Sequence, residues 1–424
     1  MTSEVLLMNQ EAVVLAADSA VSGGRSAMVG VEKVYPISND PPVGVMIYNV
    51  ATFNGVSWRV FFEDFRSKNS NSKLKIYEIF YRIQDYFKSA LRDPAFRIDP
   101  EQERANFYKY LVGFYNSLAE LMALSGWDGV ENPSSEMLLE ALEYIEWDIA
   151  YEYDSESEDP EPVRRGSVSV TPELYEFFNK NFEEISGYAF EAVISENDLE
   201  IEEIKIEEDV FIKLRDAIIK SCVTQWVPYS LKYDYTGVVI AGFEANSLYP
   251  SAVHFKIYPS FGGILNITDI HRIQISPDAD DAVVKTFAQA EIVNSFLHSI
   301  EPRAKDALVH EVRRYLNALK NAVETITTSL SSEKAAEVDE IFSHYWRVAP
   351  RVIKYAVRRL PSAGNQQAVN WQLSAAPPDR VVDIAEKLLT MNVLGAELRM
   401  NATVGRPLRF MKITRSEIIL SEKK

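Results

Sequence analysis

The chain has 424 residues, and its 62 acidic and 44 basic side chains give a formal net charge of −18 at pH 7. An acidic excess of this size argues against nucleic acid or an anionic membrane as a partner. The single cysteine, Cys222, excludes an internal disulfide and suits a reducing compartment. Because the sequence has neither a signal-peptide pattern nor an apolar run long enough to cross a bilayer, we expect a cytoplasmic protein.

The first part of the chain, residues 2–55, reads as four β-strands. Two apolar runs, at 5–8 and 12–17, are separated by three polar residues, a pattern typical of a β-hairpin that begins at residue 2. A third strand is predicted at 31–37, after a turn marked by a pair of glycines. A chain that starts in a buried strand has its first residues tied down, so we expect an ordered chain start.

The hydrophobic period changes to that of helices after Trp58. Apolar residues recur at helical spacing through residue 87, and further helices are predicted at about 102–124, 134–150, 171–182 and 208–223. The acidic, proline-containing segment 154–162 is interpreted as a solvated loop.

Strand patterns return at 236–273. They are followed by predicted helices at about 281–299 and 302–330, a stretch at 331–378 with helices and a Gln366-Gln367 loop, a final helix at 380–399 and a closing hairpin at 407–421. This alternation of strand-rich and helix-rich regions predicts an α+β fold.

The start of the chain carries a candidate nucleophile. Thr2 follows Met1 and is small enough for removal of the initiator methionine, so we expect Thr2 to become the N-terminus. Its free α-amine, with a pKa of roughly 7.7–8.0, is a suitable base for its own hydroxyl. A lysine near that amine favours its neutral form, and an aspartate holds such a lysine charged and oriented. Lys33 and Asp18 are the candidates for these two roles.

Residues 12–19 and 32–34 resemble the start of proteasome β-subunits and their bacterial relatives. In this resemblance Thr2 falls on the family's nucleophile, Asp18 on its aspartate and Lys33 on its lysine, with a Thr-to-Lys spacing one residue shorter than usual. The run 46–55 is similar to the family's fourth strand and to the glycine turn that supplies the oxyanion N–H. Gly55 is the best match for that donor.

The same resemblance implies residues that contact substrate and move protons. Ser22 falls on a Thr or Ser whose backbone aligns the substrate as an extra strand, and the implied substrate-binding residues are Val21, Ser22 and Phe53. The family has an Asp, and a Ser three residues later, before its last strand. Here Thr403 takes the place of the Ser and Asn401 is only adjacent to the place of the Asp, so these two residues are the relay candidates.

The resemblance covers roughly half of the chain and implies a four-layer αββα N-terminal-nucleophile sandwich with large helical insertions. Segments 236–243, 252–259 and 262–263 are similar to strands of the family's second sheet, and 381–399 with 403–414 to its last helix and hairpin. The implied core is 2–55, 236–300 and 380–424. The implied additions are a helical layer with a large insertion at 56–235 and a second insertion at 301–379.

The function that the resemblance implies is that of a threonine peptidase or amidohydrolase acting on a peptide or amide substrate. The relatives assemble, so we expect a homo-oligomer, with a ring as one arrangement. The chain lacks a Walker-type or Gly-x-Gly-x-x-Gly loop, so any ATP-dependent unfoldase has to be a separate partner. Two other functions stay open: a non-catalytic ring-forming or scaffold subunit, and an amidase acting on a small molecule.

We expect no metal and no cofactor. The five histidines are scattered without metal-ligand spacing, which favours surface or hydrogen-bonded structural roles. Cys222 lies in an apolar helical context, which favours an inert buried thiol over a catalytic one.

Overall fold

The structure is a computed structural model, and it describes part of the chain. The described residues are 3–23, 26–28, 30–69, 75–91, 93, 96, 98–122, 135–153, 162–165, 170–196, 208–228, 231, 234–276, 280–288, 291–298, 323, 334, 365–398 and 405–423. The chain divides into two compact units, one formed by Met1–Gln289 with Leu373–Lys424 and the other by Ala290–Gln372.

The described elements alternate between strands and helices. The strands are β1 (Ser3–Asn9), β2 (Val13–Asp18), β3 (Val21–Gly23), β4 (Ser26–Met28), β5 (Val34–Asn39), β6 (Pro42–Asn49), β7 (Thr52–Phe53), β8 (Val56–Ser57), β9 (Tyr151–Tyr153), β10 (Pro162–Arg164), β11 (Thr236–Phe243), β12 (Pro250–Ile257), β13 (Ile267–Gln274), β14 (Ala282–Ala288), β15 (Leu408–Ile413) and β16 (Ile418–Lys423). The helices are α1 (Trp58–Asn69), α2 (Ile76–Ala90), α3 (Pro100–Met122), α4 (Ser135–Ala150), α5 (Pro172–Glu196), α6 (Glu208–Val223), α7 (Glu291–His298), α8 (Gln366–Ser374) and α9 (Pro378–Leu398).

The first sheet has five antiparallel strands in the order β14-β1-β2-β15-β16. Glu4 on β1 lies opposite Ala17 on β2, and Leu408 on β15 lies opposite Asp18. The start of β1, the end of β2 and the start of β15 therefore meet at one end of this sheet.

The second sheet also has five antiparallel strands, in the order β13-β12-β11-β6-β5. Val34 at the start of β5 lies opposite Met46, and Thr236 at the start of β11 lies opposite Asn49. The end of β6 is therefore flanked by the start of β5 and the start of β11.

The two sheets bury a shared apolar core. Side chains alternate between the faces of a strand, so every second residue of β1, β2, β6 and β15 points into this core, for example Leu6, Leu15, Met46 and Met411. In β1 and β2 the intervening residues are buried as well, so both strands are buried along their full length. Burial on both faces explains why these strands read as continuous apolar runs rather than alternating ones.

Helices pack against both sheets. Helix α9 packs on β1, β2 and β15, while α1 packs on β5 and α2 on β11 and β12. Apolar residues spaced three or four apart bury one side of α2, including Ile76, Phe80 and Phe87. The Glu78 carboxylate accepts the Lys75 backbone N–H at 3.0 Å, which satisfies one of the free donors at the start of this helix.

The helices α3 to α6 build a second apolar core of their own in the same compact unit. Phe107, Phe114, Phe178 and Phe182 are among its buried side chains. The loop between β12 and β13 contributes Phe261 to this core, so it joins the helical region to the second sheet.

The structure corrects four sequence-based expectations. The predicted helix at 281–299 is wrong for its first half, which is β14, and its helical part is α7. A run such as Val283-Val284 fits a buried strand as well as a helix, and its pairing with β1 decides the outcome. Lys33 lies just before β5 rather than within a strand. A short hairpin of β3 and β4 precedes Lys33, so this part of the chain has more strands than the four predicted. Gln366-Gln367 starts a helix instead of lying in a loop.

Several predicted regions lie outside the described residues. Nearly all of the predicted helix at 302–330 and most of the stretch at 331–378 are among them, as is the acidic segment 154–161. Within the described ranges, no helix combines the length and the apolar character that a bilayer crossing requires.

Gly237 on β11 has a packing role that we can test. A Cβ at this position would lie 1.9 Å from the ring of Tyr48, the residue opposite it on β6. We expect Gly237→Ala to lower the free energy of unfolding by about 1–3 kcal/mol, because Tyr48 is 3 % exposed and has little room to move. Urea unfolding followed by circular dichroism measures this loss.

Gly187 provides the matched control, because it lies in α5 and a Cβ added there would meet open space. Gly187→Ala should raise stability by about 0.5–1 kcal/mol through helix propensity. If both alanine variants have equal stability, the close approach of Tyr48 to Gly237 does not govern packing between these strands.

Candidate active site

Lys33 is a buried ammonium with three acceptors. Its side chain is 2 % exposed, and Nζ lies 2.5 Å from Asp18 Oδ1, 2.7 Å from the carbonyl oxygen of Ala20 and 3.2 Å from Glu4 Oε1. A lysine ammonium has three N–H donors, so these contacts use all of them. Lys33 is therefore held by two carboxylates and one backbone dipole.

Asp18 joins three segments of the chain at this lysine. Besides Lys33, its Oδ1 accepts the backbone N–H of Ser3 at 3.1 Å, and its Oδ2 accepts the backbone N–H of Gly405 at 3.0 Å. The carboxylate therefore links the start of β1, the residue before β5 and the segment before β15. Charge-assisted hydrogen bonds of this kind are stronger than neutral ones.

The segment that leads to Lys33 is fixed by backbone hydrogen bonds on both sides. The carbonyl of Ser19 accepts the N–H groups of Gly30 and Val31, each at 3.1 Å. The carbonyl of Lys33 accepts the N–H of Ile47 at 2.8 Å. Lys33 is thus anchored to the end of β2 and to the last residues of β6.

Glu4 is a site residue that the sequence reasoning missed. The alternation of β1 places Glu4 on the same face as Leu6 and Met8, between the sheets, where its side chain is fully buried. A fully buried glutamate is rare unless it is paired, and here Lys33 is the partner. The signal in the sequence is an acidic residue directly before the apolar run 5–8 of the first strand.

Thr2, the predicted nucleophile, lies outside the described residues. Its covalent neighbour Ser3 is held on two sides: the backbone N–H binds Asp18, and Oγ accepts a hydrogen bond of 2.6 Å from Asn392 Nδ2 on α9. The residue that follows Thr2 is therefore fixed beside the Asp18–Lys33 pair.

Gly55, the predicted oxyanion donor, lies in a two-residue turn between β7 and β8. Asn54 and Gly55 both have positive φ, 51° and 81°, as the tight turns of β-hairpins require. The hairpin follows directly on β6, and Arg59 beyond it lies 3.4 Å from the carboxylate of Glu32, the neighbour of Lys33. The Asn54-Gly55 turn is partly exposed. It follows β6, which is bonded to the Lys33 carbonyl through the N–H of Ile47.

The predicted substrate-binding residues have different placements. Val21 and Ser22 lie on β3, of which the structure describes the backbone but not the side chains. The Phe53 side chain is 4 % exposed and packs against Trp58 and Phe87, with ring centroids 5.5 Å and 5.6 Å away. Its ring belongs to the core around α1 and α2, which argues against the expected contact with substrate.

The relay candidates Asn401 and Thr403 lie outside the described residues. The described chain resumes at Gly405, whose N–H binds Asp18 Oδ2. Gly405, the first described residue after both candidates, is therefore bonded to Asp18.

His254 and Tyr48 form a polar pair between the sheets. The Tyr48 hydroxyl oxygen lies 2.6 Å from His254 Nε2, and the ring of His271 is stacked parallel to that of His254. Burial, together with the neighbouring His271, lowers the pKa of His254 to about 3, so this imidazole is neutral at physiological pH. Burial also raises the pKa of the Cys222 thiol to about 12, which fits an inert thiol.

A small pocket lies apart from the Lys33 cluster. Asn106, Tyr110, Tyr258 and Asn266 are among the residues that line it, and none of Glu4, Asp18 and Lys33 does. It has room for roughly one water molecule, which is too little for a substrate. Among the described residues, no group of three or more His, Cys, Asp or Glu side chains is arranged to hold a metal ion.

The charge on Lys33 should be essential to stability. Lys33→Met removes the ammonium that pairs with the buried carboxylates of Asp18 and Glu4, so we expect the free energy of unfolding to fall by about 3–5 kcal/mol. Lys88→Met is the matched control, because Lys88 is 51 % exposed and pairs with Asp85 at 3.9 Å, a contact worth less than about 1 kcal/mol. Equal losses of unfolding free energy in the two variants, measured by chemical denaturation, would mean that Lys33 does not stabilise the buried carboxylates.

Comparisons with known proteins add no relative. No family model matches the chain, and searches of curated proteins and of solved structures found no significant match. The likeness to proteasome β-subunits therefore rests on the residues of this chain alone.

Proposed function

We propose that the protein is a threonine peptidase or amidohydrolase that uses Thr2 as its N-terminal nucleophile. The observation that carries the proposal is the buried ammonium of Lys33, which is paired with Asp18 while the same carboxylate oxygen binds the N–H of Ser3. This arrangement fixes a positive charge beside the residue that follows the proposed nucleophile. Such a charge favours the neutral form of a nearby amine.

The proposed architecture is a four-layer αββα N-terminal-nucleophile sandwich with helical insertions. Two five-stranded antiparallel sheets that share one core, with α9 against one and α1 and α2 against the other, support it. The helices α3 to α6 then belong to the insertion between the fourth and fifth core strands.

In the proposed mechanism, removal of Met1 frees the amine of Thr2. The Thr2 hydroxyl attacks the amide carbonyl, and its proton passes to the Thr2 amine, directly or through a water molecule. The Gly55 N–H stabilises the tetrahedral oxyanion, a contact worth about 2.7–4 kcal/mol in other hydrolases. The amine returns the proton to the leaving nitrogen, and water then hydrolyses the acyl-enzyme.

Lys33 acts through its charge in this proposal. All three of its donors are used by Asp18, Glu4 and the Ala20 carbonyl, so a hydrogen bond from Lys33 to the Thr2 hydroxyl requires the release of one of them. Glu4 is the most distant of the three acceptors, at 3.2 Å.

The substrate chain is proposed to lie extended between β3 and the turn at Gly55, adding a strand in the manner of β-augmentation. The main chain of β3 supplies the pairing groups, and Ser22 lies in its middle. The same proposal includes assembly into a homo-oligomer, with a ring as one arrangement. It also includes a separate ATP-dependent unfoldase that supplies the substrate.

One observation favours a second candidate, a non-catalytic ring-forming or scaffold subunit. The full use of Lys33's donors is also what a purely structural ion cluster requires. An amidase with a small-molecule substrate is a third candidate, and parallel panels of peptides and small amides distinguish it from a peptidase.

The test of the proposed function is the activity of Thr2 variants. We expect Thr2→Ala to abolish hydrolysis of peptide and amide panels while the unfolding midpoint stays that of the wild type. Thr2→Ser keeps a hydroxyl and should retain measurable turnover. Thr414→Ala, which removes a partly exposed hydroxyl in the turn between β15 and β16, is the control and should leave kcat unchanged. Wild-type turnover by Thr2→Ala would eliminate Thr2 as the nucleophile.

A further inference from the structure

Loop 258–266, between β12 and β13, connects the helical region to the turn that carries Gly55. Ser260 in this loop is 1 % exposed, and its Oγ accepts a hydrogen bond of 2.7 Å from Asn54 Nδ2. The carbonyl oxygen of the same residue accepts a bond of 3.0 Å from Asn106 Nδ2 on α3. Ser260 therefore lies between α3 and the Asn54-Gly55 turn and is bonded to both.

Helix α3 holds this loop at further points. The Glu103 carboxylate accepts the backbone N–H of Gly262 at 2.8 Å, which fixes a residue with a φ of 57°. The ring of Phe261 packs against Phe107 and Tyr110 of the same helix, with centroids 5.2 Å and 5.1 Å away. The loop is thus anchored by polar contacts on each side of a buried aromatic residue.

The turn depends on this anchor because its hairpin is short. The strands β7 and β8 have two residues each, and an isolated two-stranded hairpin is only marginally stable in water. The Asn-Gly pair suits the positive φ values of the turn, so the anchor fixes the position of the hairpin rather than relieving backbone strain. Among the described residues, Asn54 Oδ1 is buried without a hydrogen-bond partner, so the bond to Ser260 is the side-chain hydrogen bond that holds Asn54.

From these contacts we infer that Ser260 is a positioning residue for the Gly55 N–H, and that α3 fixes it in place through loop 258–266. The inference rests on the proposed function where it concerns catalysis. Its structural part, that the loop orders the turn, stands on the contacts alone. The helical insertion then has a defined task, which is to hold the oxyanion donor at a fixed position.

The experiment measures order in the turn and catalysis separately. In Ser260→Ala we expect backbone amides of residues 52–57 to exchange with deuterium several-fold faster than in the wild type. We expect kcat to fall by about tenfold with KM unchanged, because a displaced oxyanion donor weakens transition-state binding and leaves ground-state binding intact. The matched control is Ser251→Ala, which removes a hydroxyl bonded to Glu244 at the opposite end of β12.

A second pair of variants tests the part played by α3. Glu103→Ala removes the acceptor for the Gly262 N–H and should accelerate exchange at 52–57, whereas Glu103→Gln keeps an acceptor and should behave as the wild type. A purely local role of Glu103 would change exchange at 260–264 only, and that result would overturn the inference for α3.

The outcomes distinguish this inference from the proposed function. Unchanged exchange at 52–57 in Ser260→Ala overturns the inference whatever the activity. Faster exchange with an unchanged kcat overturns the positioning role. If the wild type hydrolyses neither peptides nor amides, the proposed function fails, and the exchange data alone decide whether loop 258–266 orders the turn.

Discussion

The buried contact between Lys33 and the carboxylates of Asp18 and Glu4 is the constraint on which the site depends. All three side chains are almost completely removed from water, and such charges are tolerated only when they are paired and hydrogen-bonded. Asp18 meets that requirement through two backbone N–H groups as well as Lys33. These hydrogen bonds compensate the buried charge of Asp18. They also fix the chain at Ser3 and at Gly405, so the same contacts stabilise the carboxylate and position the segments around it.

The fold supplies the place where these groups meet. The start of β1, the end of β2 and the start of β15 lie together in one sheet, and the start of β5 lies beside the end of β6 in the other. The polar cluster therefore forms at corresponding ends of two sheets that share an apolar core. The helical region reaches the hairpin that follows β6 through loop 258–266, which places Ser260 between α3 and the Asn54-Gly55 turn.

Much of this could be predicted from the sequence where one physical effect dominates. Continuous apolar runs such as 12–17 become strands because both of their faces are buried, and an aspartate after such a run is a natural partner for a buried lysine. Glu4 was missed because its role depends on which face of β1 meets the other sheet. Residues 282–288 were predicted as helix because a short apolar run fits either structure, and only the pairing with β1 decides between them. Phe53 is a substrate-binding candidate through the family resemblance alone, and the packing of its ring against Trp58 and Phe87 depends on the placement of α1 and α2.

The most direct measurement is the intact mass of the purified protein before and after treatment with an electrophile directed at N-terminal threonine. The proposed mechanism predicts loss of Met1 and one adduct, mapped to Thr2 by peptide sequencing, with no adduct in Thr2→Ala. A retained Met1 with no adduct would contradict it, because the amine that the proposed mechanism requires as a base would be blocked. The cluster of Lys33, Asp18 and Glu4 would then be a structural feature of a scaffold subunit.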